Sequence, residues 1–568
     1  MEWKEKKYDK YKESILVKNG MHRMTARLLS QRDINTEKCS DFVSGQYKNL
    51  SHPYKLHDVE KSVKIFLDVA KNKGKISIIG DYDADGIISS TMLKELCNNF
   101  NLECEVFLPS RLEHGYGLNE KTIKTFLDKT NTIPDLLIVT DCGSNNYKEI
   151  EMLKKSGVSK IIIIDHHTID KSLLSTNADG LISWHLTEGF NEMCACGQVF
   201  HFIRGIRWMT KKVSPIEFLT YAAIGTISDV SPLIGDNRIV VRNGLTEYAI
   251  NHIIGVGFNS LLNHSKIHPS ALTQSDVSFK IAPRINAVGR LSDPNIVHQF
   301  LIERDVGQAN GLAEFICDYN DKRKQIQEEI EKKIDKKINN EMSHGILVYD
   351  ESFHIGVVGI VASRIVDRYK KPVIVIGFHN GEWKGSGRSI GGIDIKQLAD
   401  DCSHIFSKYG GHQSAIGVTL NNDYLKNAHK IFNSVCEKHI ESIGDNVDKQ
   451  FDAVINPKSI SIEIANVILR DIYPYTSDLN EEPIFKLNNV LVSDTNFIEK
   501  DNWSLIKFRA NRKDYQIPYD FQLFSPPFGS EIDGRTVNLI FKFPQKINDP
   551  INQYYQFHLE LIDVEFLD

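Results

Sequence analysis

KISIIGDYDADG, residues 75–86, changes character halfway along. Ile76, Ile78 and Ile79 make a short apolar run of the kind that forms a strand buried on both faces, and a charged run with glycines follows at once. This is how an α/β site divides its labour: the strand fixes position and the loop at its end presents polar groups. Asp81, Asp83 and Asp85 follow at two-residue spacing. On an uninterrupted strand the three carboxylates would share one face, whereas the glycines favour a strand end that bends into a loop. Either arrangement concentrates anionic oxygens, which repel one another and which divalent cations stabilise directly. A solvated turn or a calcium loop could use the same letters, but the twelve-residue spacing and terminal ligand of an EF-hand are missing.

Working outward, the pattern repeats in LECEVFLPS (102–110), DLLIVTDCG (135–143) and KIIIIDHH (160–167), with helical intervals between them. Helical periodicity over Val59 to Asn72 leads into the first strand. Short apolar runs separated by helices predict parallel βαβ construction. Two further strand ends thus offer Asp141 and the triplet Asp165, His166 and His167, and a predicted helix from Phe218 to Ser228 introduces Asp229 ahead of a turn at Pro232 and Gly235. The expected catalytic and metal-binding set is Asp81, Asp83, Asp85, Asp141, His166, His167 and Asp229. Oxygen-rich ligation with one or two imidazoles suits Mn2+ or Mg2+, with Mn2+ favoured by the histidines. Two ions bridged by Asp83, Asp85 or Asp141 would activate water and hold both sides of a phosphodiester. His166 is the favoured imidazole ligand, and His167 either completes the second ion's surroundings or orients the phosphate.

The remaining chain frames this site. At 568 residues it predicts three or four domains, and its 9 scattered cysteines support neither a zinc ribbon nor a disulfide scaffold. No apolar run reaches membrane-crossing length and the polar start lacks the apolar core of a secretory signal, so a cytoplasmic location is expected. The net charge of -6 does not advertise nucleic-acid binding, yet clustered carboxylates can hide a local basic channel from such arithmetic. Residues 1–50 suggest a short helix around Met24 to Leu29 and say little about chemistry. Gly307 to Asn339 reads as one long connecting helix, ILVYD and KPVIVIGF as strands of a second α/β unit, and the segments after Phe451 as a small β-barrel. The expected units are 1–50, a catalytic domain at 51–305, a connecting helix at 306–345, a substrate-binding domain at 346–430 and a nucleic-acid-binding barrel at 431–568.

GDYDADG, TDCG, DHH, SDVSPLIGDNR (228–238) and FKIAPRINAVGRL (279–291) together resemble the DHH phosphoesterase superfamily, and most closely its RecJ-type exonucleases. HIGVVGIVASRI (354–365), KGSGRS (384–389) and GGHQSAIG (410–417) are similar to the family's DHHA1 domain. The resemblance implies an α/β fold with a parallel-sheet catalytic domain, a DHHA1-like domain joined by the long helix, and an OB-like C-terminal barrel. It also implies a cleft that holds a single strand. The stretch before CACGQVF (194–200) lacks the family's Asn-Pro region, and PYTSDLNEEPIF (474–485) departs from its pattern, which bears on substrate length and loop geometry.

Substrate contacts follow from the same motifs. By itself GGHQSAIG could be only a tight turn; within the resemblance Gly410 and Gly411 bring backbone N–H groups to a phosphate and His412 donates to it. Arg388 is a bidentate anion clamp and Lys384 a flexible helper. Arg111 and Arg284 lie in segments matching substrate-facing parts of the family, either one facing a 5′ phosphate. Tyr116, Phe279 and Tyr409 are candidates for base stacking, although core packing is the commoner fate of such rings. The implied function is metal-dependent 5′-3′ hydrolysis of single-stranded DNA to 5′-mononucleotides in repair and recombination, by a monomer with a helicase or single-strand-binding protein as partner and no membrane. The alternatives are a phosphodiesterase of short RNA or dinucleotides and a non-catalytic nucleic-acid-binding protein.

Overall fold

The computed structural model describes residues 3–111, 113–115, 117–130, 132–253, 255–338, 344–440, 449–476, 480–500, 503–512, 515–547 and 557–567. Near the N-terminus lie α1 (Arg23–Leu29) and α2 (Cys39–Ser44). The catalytic unit then alternates α3 (Val59–Lys71), β1 (Ile76–Ile79), α4 (Ala84–Asn99), β2 (Cys104–Phe107), α5 (Glu120–Lys129), β3 (Leu136–Thr140), α6 (Tyr147–Lys155), β4 (Lys160–Ile164) and β5 (Gly180–Ile182). The strands form one parallel sheet in the order β2-β1-β3-β4-β5. Its continuous apolar runs have a simple cause. Ile76, Ile78, Leu136, Ile138, Ile162 and Ile164 face one core, whereas Ile79, Leu137, Val139, Ile161 and Ile163 face another beneath α5 and α6. Both faces are covered, so neither can be polar.

Helices α7 (Ala195–Thr210), α8 (Ile216–Ser228), α9 (Gly235–Gly244) and α10 (Ala282–Leu291) complete the first core. The 32-residue α11 (Val306–Lys337) then runs to the second unit, as the proline-free stretch predicts. There β6 (Ile346–Asp350), α12 (Val358–Tyr369), β7 (Val373–His379), β8 (Glu382–Arg388), β9 (Phe406–His412) and β10 (Ala415–Leu420) build a mixed sheet ordered β9-β10-β8-β7-β6. Helix α13 (Ala428–Ile440) buries Ala428, Phe432 and Cys436 in that unit's core.

Beyond α14 (Ile462–Asp471) come β11 (Phe485–Lys500), β12 (Trp503–Arg512), β13 (Asp520–Phe524), β14 (Thr536–Lys542) and β15 (His558–Phe566). Pairing runs β11-β14-β15-β13-β12 and returns from β12 to β11, so the five strands close into a barrel and leave no edge among themselves. Leu16, Ala26, Leu28, Leu29 and Cys39 share this barrel's core. The N-terminal residues, uninformative as sequence, therefore pack with the C-terminal unit.

Candidate active site

Strands β1, β3 and β4 are neighbours, and parallel strands sit about 4.8 Å apart, so the loops after them converge at one edge of the sheet. The aspartate run divides between strand end and helix start. β1 stops at Ile79, Asp83 caps α4 by accepting from the N–H groups of Asp85 and Gly86 at 3.1 and 3.3 Å, and Asp85 lies in the first turn. Gly86 is required here because a Cβ would come within 2.6 Å of the Asp81 backbone. Asp141 follows β3 in the left-handed region at φ 62°, a strained position that short polar residues tolerate best. Both oxygens of Asp85 accept from the start of α7, from Ala195 N–H at 2.7 Å and Cys196 N–H at 2.9 Å.

His166 is the hub. Its Nε2 lies 3.2 Å from Asp141 and 3.9 Å from Asp85, and its Nδ1 lies 3.7 Å from Asp229 at the end of α8. Asp165 turns inward from the same loop, accepting from Ser144 N–H at 2.9 Å and pairing with His167 Nδ1 at 2.8 Å. Burial opposes ionisation of Asp165, but the His167 bond prevails and holds its carboxyl well below the usual range. Asp165 thus orients His167 instead of facing the others. The His166 carbonyl accepts from His185 Nε2 at 3.0 Å, and the His185 ring stacks on Trp184.

The electrostatics are those of a crowded anionic pocket. Burial and then Asp83 push the Asp81 carboxyl up to about 8. Burial, followed by Asp85, Asp83, Asp81 and Asp229, raises Asp141 well above the ordinary range. Asp229 is pushed to about 7, mainly by burial, against the pull of His166. Burial opposes the charge on His166, yet Asp229, Asp85 and Asp165 outweigh it and raise the ring to about 9. Three ligand sets, Asp81–Asp83–Asp141, Asp85–His166–Asp229 and Asp141–His166–His167, each place their donor atoms within 4.8 Å of one another. Buried Asp81 Oδ1 has no protein partner. A buried orphan oxygen among mutually repelling carboxylates fits divalent cations, and the sharing of Asp141 and His166 between sets fits two adjacent ions.

The substrate-facing candidates divide. Arg111 lies over the Tyr82 ring at 5.4 Å and within electrostatic reach of Arg290, Arg388 and His354. Burial and then Arg111 lower the pKa of Arg290 to about 10, and the same two causes lower that of Arg388. Arg388 donates to Ser386 Oγ at 2.7 Å and to the Gly387 carbonyl at 2.8 Å, neutral partners that leave the mutual repulsion of the guanidinium groups in place, and an anion would relieve it. Pairing of His412 with Ala415 and of Ala415 with Arg388 places His412 in the same row, about 10 Å across two strands. Gly411, at φ 142°, abuts Ala415, while Gly410 has open space where a side chain would be.

Lys384 is not brought to this cluster. It pairs with Glu382 at 2.7 Å, four residues or about 13 Å along β8 from Arg388. Arg284 donates to the Lys280 carbonyl and lies near Arg323 instead. Phe279 is 80% exposed on a π-helical turn, Tyr409 donates to Asp400, and Tyr116 lies outside the described residues.

Asn286 and Arg290, both within APRINAVGR, belong to the site without being among the residues its motifs single out. Asn286 accepts from Ala84 N–H at 2.8 Å and so braces the aspartate loop, and Arg290 donates to the Gly356 carbonyl of the second unit. A cavity of about 390 Å3 opens beside them, lined also by Val230, Phe279, Arg323 and Arg364.

Residues 75–226 match the DHH family, N-terminal domain, and residues 343–438 match the DHHA1 domain. The single-stranded-DNA-specific exonuclease RecJ of Haemophilus influenzae is 28% identical over 479 residues, covering 79% of this chain and 80% of that protein. RecJ of Bacillus subtilis is 27% identical over 87% of this chain and 62% of its own length. RecJ of Thermus thermophilus in complex with Mn2+ superposes with a TM-score of 0.80 at 21% identity, covering 100% of this chain and 80% of that one, a likeness of fold. An exonuclease RecJ bound to manganese aligns at 28% identity with a TM-score of 0.59, over 69% of this chain and 96% of that one. Two domain matches and relatives aligned over most of the chain agree: the chain belongs to the DHH phosphoesterase superfamily, in its RecJ-type group.

Proposed function

We propose that the chain is a metal-dependent exonuclease that removes 5′-mononucleotides from the 5′ end of single-stranded DNA. The observation that carries this reading is the nearness of Arg290 to Asp83 of the carboxylate–imidazole pocket, with Arg111 beside both Arg290 and Arg388. Asp81, Asp83, Asp85, Asp141, His166, His167 and Asp229 would hold the ions, and Asp141 and His166 each belong to two of the three sets. Mn2+ or Mg2+ held there would polarise the phosphodiester and acidify the attacking water.

The protein's own groups do the rest. Asp165 fixes the His167 ring, His185 fixes the His166 main chain, and the α7 N–H groups fix Asp85. The arginines bind the terminal phosphate as a counter-charge, which selects an end over an internal bond and holds the next phosphodiester toward the pocket. Exposed Phe279 and Val230 flank the way out and offer apolar surface to bases. His412 and the adjacent glycines supply backbone and imidazole donors to a phosphate from the second unit. Among the described residues no helix is long and apolar enough to cross a membrane. The same reading carries a monomer working beside a helicase or a single-strand-binding protein that supplies its strands. Hydrolysis of 5′-phosphorylated against 5′-hydroxyl strands tests it. Equal kcat/KM for the two would deny the arginine cluster its terminal phosphate.

A further inference from the structure

SDVSPLIGDNR supplies Asp229, but its last residue has no part in the site above. Arg238, on α9, is 2% exposed, and its partners are backbone carbonyls. Nε donates to Phe42 at 3.1 Å, Nη1 to Ile472 and to Pro474 at 2.9 Å each, and Nη2 to Asp471 at 3.0 Å. The Arg238 Cζ lies over the Phe42 ring, 3.8 Å from the ring centre. A rigid fork of five donors can satisfy several carbonyls at fixed angles, which a lysine ammonium cannot do.

Those carbonyls belong to the other end of the molecule. Phe42 lies on α2, and residues 471–474 run from α14 toward β11, so both partners sit in or against the core of the C-terminal unit. One helical turn on, Arg242 donates to the Tyr473 carbonyl at 3.3 Å and Asn243 to that of Gly45 at 2.9 Å. The linker is gripped from its other side by Gln274, which donates to the Tyr475 carbonyl at 2.8 Å and accepts from Tyr475 N–H at 3.0 Å. Gln274 opens the segment that leads through the π-helical turn to Asn286. The linker is therefore held both by the helix that follows Asp229 and by the segment that braces the aspartate loop. A second cavity, about 410 Å3, lies against it, sharing Val230 and Phe279 with the first and bounded by Tyr475, Gln545 and the carboxylates Glu481 and Glu482, which pair with Lys6 and Lys542.

We infer that Arg238 is a positioning residue that locks the C-terminal barrel against the catalytic unit, so that a strand engaged at the metal centre meets a barrel held at a fixed place. This rests on the exonuclease reading given above. An untethered barrel would still bind DNA but at a lower effective concentration beside the cleft, so long strands lose and short ones do not.

The test compares the parent with Arg238→Lys, and with Phe42→Leu as the milder variant, in the full-length Mn2+-loaded protein. A 5′-phosphorylated trinucleotide is set against a strand of about 40 nucleotides, with an expected rise in KM of about tenfold for the long substrate only. Spin labels at Tyr248→Cys and Leu491→Cys report the distance between the two units, expected narrow in the parent and broad in the variants. An unchanged ratio of long to short activity with an unchanged distance distribution overturns the inference. So does a parallel fall for both substrates, which is the mark of general destabilisation. If Arg238→Lys does not fold, Phe42→Leu decides by the same readouts. If the parent itself has no preference for the long strand, the exonuclease reading fails, and the distance distribution still decides whether Arg238 is a lock.

Discussion

Changing Asp81 to Asn separates the stability of the metal-free pocket from its chemistry. The Asp81 carboxyl is buried and raised to about 8 by burial and by Asp83. A carboxyl raised on folding contributes stability that is fully present below its unfolded value and is lost as pH rises through the folded one. With an unfolded value near 3.9, the loss at pH 7 amounts to about 4 kcal/mol as an upper bound. Asparagine cannot ionise and removes that loss. Its buried amide, beside the already orphaned Oδ1 position, takes back about 1–3 kcal/mol. The net gain is on the order of 1–3 kcal/mol, or several degrees in the melting of a domain of this size. Thermal unfolding in chelator at pH 5 and pH 8 should therefore show D81N above the parent at pH 8, with the advantage shrinking at pH 5. Mn2+ should raise the parent more than the variant, and hydrolysis by the variant should nearly vanish. A variant that melts below the parent in chelator at pH 8, yet gains as much from Mn2+, would refute the placement of Asp81 in a strained ligand pocket.

Asp165→Asn removes the partner of His167, so Mn2+ affinity measured by calorimetry should weaken by about 10- to 100-fold while the melting of the other units stays put. Because Asp81 and Asp229 are raised to about 8 and about 7, Mn2+ binding near pH 7 should release protons, and the apparent binding enthalpy should vary with buffer ionisation enthalpy. Arg388→Met should raise KM for 5′-phosphorylated strands by about tenfold or more and leave 5′-hydroxyl strands little changed, which competition kinetics would read. Limited proteolysis within 421–450 should spare α13, whose Ala428, Phe432 and Cys436 are buried, and a barrel fragment so released should stay bound to residues before 50 through their shared core.

The sheet was legible because burial on both faces leaves uninterrupted apolar runs, and each run ends where its chemistry begins. The aspartate run was legible as a set of ligands but not as a shape: two-residue spacing fits a strand, and only capping by Asp83 shows that the helix starts there. Among the arginines, the motif alone could not choose a face of α10. Asn286 and Arg290, four apart, share the face toward the aspartate loop, whereas Arg284 turns elsewhere, and nothing local to the sequence says which face meets the site. Lys384 illustrates distance: strand alternation places it on the face of Arg388 but too far along to join it. Arg238 was invisible for the opposite reason. Its partners are backbone carbonyls more than 190 residues away, and carbonyls leave no signature in side-chain sequence.

Whether this pocket degrades single-stranded DNA from its 5′ end is read directly by a time course on one strand labelled separately at each end, with Mn2+ and with chelator. Degradation from the 5′ end gives immediate release of 5′-labelled mononucleotide with Mn2+, gradual shortening of the 3′-labelled strand, and neither in chelator. Immediate mononucleotide release from the 3′ label, or equal release in chelator, would contradict it.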